Sequence, residues 1–96
     1  MASSISESEF ARICEGIRED RASITKHNPI GTRDETLLWM LMSTLVVYLS
    51  LSDIETPCFT GRADAETYRQ AIYFIVDARR SESFDVEPFL VRLVSE

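Results

Sequence analysis

Ninety-six residues and 11.0 kDa fit a single domain, because one core commonly serves about 100 to 150 residues before a chain divides. Apolar residues make 45%, charged ones 27%, and Gly and Pro number three each, a composition unlike that of disordered, collagenous or turn-rich β chains. The net charge of −6 excludes easy wrapping of a duplex or an anionic lipid surface, since both require clustered Lys and Arg in place of counterions.

The first expected helix runs from about Ser6 to Thr25. Ser6 followed by Glu9 matches a capping box. Phe10, Ile13, Cys14, Ile17 and Ile24 then recur at helical spacing on one stripe. Gly16, a poor helix former, is read as a candidate close crossing. The stretch from Thr25 to Gly31 ends this helix, because Pro29 disfavours helical backbone at Asn28 and Gly31 accepts conformations that other residues resist.

Thr32 with Glu35 forms a second capping box and opens the second helix, expected over about Arg33 to Ser52. No charge falls between Thr36 and Ser52, a stretch of 17 residues, and the segment is apolar nearly all round. A helix of this kind is central in a core, at an oligomer interface, or in a membrane. Its length lies at the lower edge of the spanning range and it carries several hydroxyls, so a buried central helix is the expectation.

Asp53 to Arg62 combines Pro57 and Gly61 with Ile54, Cys58 and Phe59, more apolar mass than a loose linker carries, and is expected to fold back on the core. The third helix opens near Asp64 and reaches about Arg80, with Ala65, Tyr68, Ile72 and Ile75 as its stripe. Asp77 interrupts a broad apolar face and is expected to pair with Arg80. A short fourth helix, about Val86 to Val94, places Val86, Phe89, Leu90, Leu93 and Val94 on one side. Four helices without a strand signal predict one all-α domain over residues 1–96, a small up-and-down bundle around a central second helix.

Catalytic signatures are sparse. Cys14, His27 and Cys58 are the soft or imidazole candidates for a metal, and they lack zinc or redox spacing. No cofactor is expected, both thiols are expected to be reduced, and the Ser- and Glu-containing N-terminus does not read as a secretory signal, which makes the cytoplasm the expected location.

The favoured reading is a non-enzymatic module that binds another protein, such as a small regulator, adaptor or inhibitor. The alternatives are an acidic mimic of nucleic acid and a bundle that binds a small molecule. Surplus apolar surface on the second helix points to a homodimer through Trp39, Met40 and Leu41. An up-and-down topology would also gather Lys26, His27, Arg33, Arg79 and Arg80 at one end as a partner-binding site.

Overall fold

The computed structural model describes residues 3–27, 31–51 and 64–95, with side chains described throughout these spans except at 21–27. The fold is all-α: α1 (Glu7–His27), α2 (Arg33–Leu49), α3 (Ala65–Arg79) and α4 (Glu87–Val94). Both capping boxes form. Ser6 Oγ accepts from Glu9 N at 3.2 Å and Glu9 Oε1 accepts from Ser6 N at 2.8 Å. At the start of α2 the same exchange joins Thr32 and Glu35 at 3.2 and 2.9 Å. Asp64 opens α3 by accepting from Thr67 N at 2.8 Å. Donation from the Thr67 hydroxyl, and then from its backbone amide, holds the Asp64 carboxyl below its ordinary range.

α2 packs against α1, α3 and α4, and α1 also packs against α4. Leu37, Leu38, Leu41, Met42, Leu45 and Leu49 of α2 are buried, and they meet Phe10 and Ile17 of α1, Tyr68, Ile72 and Ile75 of α3, and Leu90 and Leu93 of α4 in one core. Phe10, Phe84 and Phe89 close its edge, with Phe89 edge-on to Phe10 at 5.4 Å and to Phe84 at 6.3 Å. α2 is central as expected, yet it is not enclosed all round, because Val47 is 75% exposed and Ser43 and Thr44 are half-buried beside it. Gly16 is exposed, with nothing within 4 Å of where a Cβ would stand, so it marks no helix crossing.

The connectivity departs from up-and-down alternation after the second helix. Tyr48, near the end of α2, bonds to Glu9 in the first turn of α1. Arg79, at the end of α3, accepts from Ile5 N at 2.9 Å, and Ser81 N donates to Ile5 O at 2.8 Å. α2 and α3 therefore both finish beside the beginning of α1. Fifteen residues separate the two helices, and a chain of that length reaches about 50 Å, twice the roughly 25 Å length of α2. Alternation is enforced by short loops, and this connection is not short. The stretch from Asp53 to Arg62, expected to fold back on the core, lies outside the described residues.

Candidate functional site

The basic end inferred from the sequence does not assemble. Arg33 opens α2 and donates to Val94 O at the end of α4, with Asp34 at 3.7 Å. Arg79 donates to Ser3 O at 3.3 Å, and Arg80 donates to Phe84 O at 2.8 Å and lies 3.6 Å from Asp77. Arg79 and Arg80 thus sit beside the start of α1, while Arg33 sits at the far end of α2. The reversed course of α3 is the reason. The expected pair of Asp77 with Arg80 does form, across one turn and a C-terminal cap. The side chains of Lys26 and His27 lie outside those described.

Polar side chains elsewhere tie helix to helix. Arg18 of α1 donates to Arg92 O, to Ser95 O at 3.0 Å and to Ser95 Oγ at 2.9 Å. Together with Arg33 it supplies donors to carbonyls that the last turn of α4 cannot satisfy, at the negative end of that helix. Glu87, at the start of α4, accepts from Arg69 Nη1 at 3.0 and 3.2 Å and from the Tyr73 hydroxyl. Donation to Glu87 pushes the Tyr73 phenol up to about 12, with burial adding to the effect. The Tyr48 hydroxyl donates to Glu9, which raises the tyrosine and holds the Glu9 carboxyl below its usual range. These ties, and the fully buried Ile5, escaped sequence reasoning because each joins residues far apart in the chain.

Cys14 is buried, and burial pushes its thiol up to about 12, which leaves almost no thiolate at neutral pH. It lines a cleft of about 110 Å³ between α1 and α4, with Ala11, Arg18 and Phe89 among the walls. Glu15 and Arg92 face each other there at 3.4 Å. The cleft is smaller than the roughly 300 Å³ that a small-molecule pocket needs. Among the described residues no three His, Cys, Asp or Glu side chains gather as metal ligands, and no described helix is long and apolar enough to cross a membrane. Cys58 lies outside the described residues.

The outer face of α2 carries Val47, the most exposed large apolar side chain among the described residues, ahead of Phe74 on α3 and Val91 on α4. Met40, Ser43, Thr44 and Val47 follow one another at helical spacing, flanked by the partly buried Trp39, Val46 and Tyr48. Ser43, Thr44, Val47 and Tyr48 line a broad, shallow depression. Of the three residues inferred as a dimer interface, Met40 is half-buried on this face and Trp39 is half-buried at its border. Leu41 is instead 0% exposed within the core of its own chain, and cannot touch a partner unless that core opens. Its place in the helical turn points it at the bundle, a distinction that an evenly apolar sequence conceals.

The described residues define a small α-helical protein with polar ties between its helices and an uncharged outer face on its central one. Comparison with known protein families, with curated proteins and with solved structures finds no match.

Proposed function

We propose that this chain is a non-enzymatic protein-interaction module, a small regulator, adaptor or inhibitor, that works through the outer face of α2. The observation that carries the reading is Val47, 75% exposed within a helix segment that has no charge from Thr36 to Leu49. Water-exposed apolar side chains are common singly, but a helix face without any charged group on an acidic chain is a surface suited to burial against another protein. Glu9 and Glu87 are engaged with Tyr48 and Tyr73 in joining helices, and the described thiol is shielded.

The test compares proteins captured from the native cell by the wild type, by Val47→Asp and by Arg79→Glu/Arg80→Glu. Loss of a specific partner on Val47→Asp alone, with helical circular dichroism unchanged, is the expected result. Loss on the arginine reversal alone would transfer the contact to the end of α3.

A further inference from the structure

We draw no further inference here: the strongest candidate, the surface patch on the outer face of α2 around Ser43, Thr44 and Val47, is an unpartnered helix face, and nothing in the structure shows what covers it.

Discussion

Replacing Gly31 by Ala should destabilise the protein by a route that can be divided into parts. Gly31 has φ +76°, in the left-handed region, where a side chain costs about 1 to 2 kcal/mol. An added Cβ would also stand 2.0 Å from Glu35 Oε1, the atom that accepts from Thr32 N at 2.9 Å and completes the capping box of α2. Glu35 is long enough to swing aside, so the clash resolves through loss of that hydrogen bond, at about 0.5 to 1.5 kcal/mol. Reduced freedom of the unfolded chain returns about 0.4 to 1 kcal/mol. The net loss is about 0.5 to 3 kcal/mol and centres near 2, a fall in melting temperature of about 10 °C at that central value for a domain of this size. Urea unfolding of Gly31→Ala, Glu35→Ala and the double variant forms a cycle. Because the same hydrogen bond is lost either way, the double variant should resemble Gly31→Ala alone, with a coupling of about 1 kcal/mol. A Gly31→Ala cost below about 0.5 kcal/mol, or simple additivity in the cycle, would refute this account.

Gly16→Ala should act in the opposite sense, raising stability by about 1 kcal/mol, since Gly16 lies inside α1 with open space around it; an unfolding curve without a gain would show an unseen constraint there. Leu45→Ala removes a side chain that is 0% exposed and should cost about 2 to 5 kcal/mol, whereas Val47→Ala, two residues on but exposed, should stay within about 0.5 kcal/mol in the same denaturation assay. The Tyr73 phenol is raised in the folded state to about 12 from an ordinary 10, so its contribution is complete below pH 10 and is lost as pH rises toward 12. Tyr73→Phe should therefore be less stable than the wild type at pH 8 and show a shallower fall in melting temperature between pH 10 and 12.

Much of the local structure was legible in the sequence. The two capping boxes, at Ser6 with Glu9 and at Thr32 with Glu35, fixed where α1 and α2 begin, because the residues that satisfy the first free amides lie three positions apart. The apolar spacing of α3 and α4 named most of their buried residues, and Asp77 with Arg80 followed from one helical turn. All of these rest on contacts between near neighbours in sequence, whose geometry a helix dictates.

The tertiary structure decided what α2 faces and where α3 goes. With apolar residues nearly all round α2, sequence periodicity could not tell Leu41, sealed in the core, from Val47, open to water; only the positions of α1, α3 and α4 around it separate the two. Arg33, Arg79 and Arg80 were placed together by assuming alternation, and the fifteen residues before α3 leave its direction free. The bonds from Ile5 to Arg79 and from Tyr48 to Glu9 settle that direction, and they span 74 and 39 residues of sequence. Contacts at such separations depend on how whole helices pack, a collective outcome that no short pattern of residues encodes.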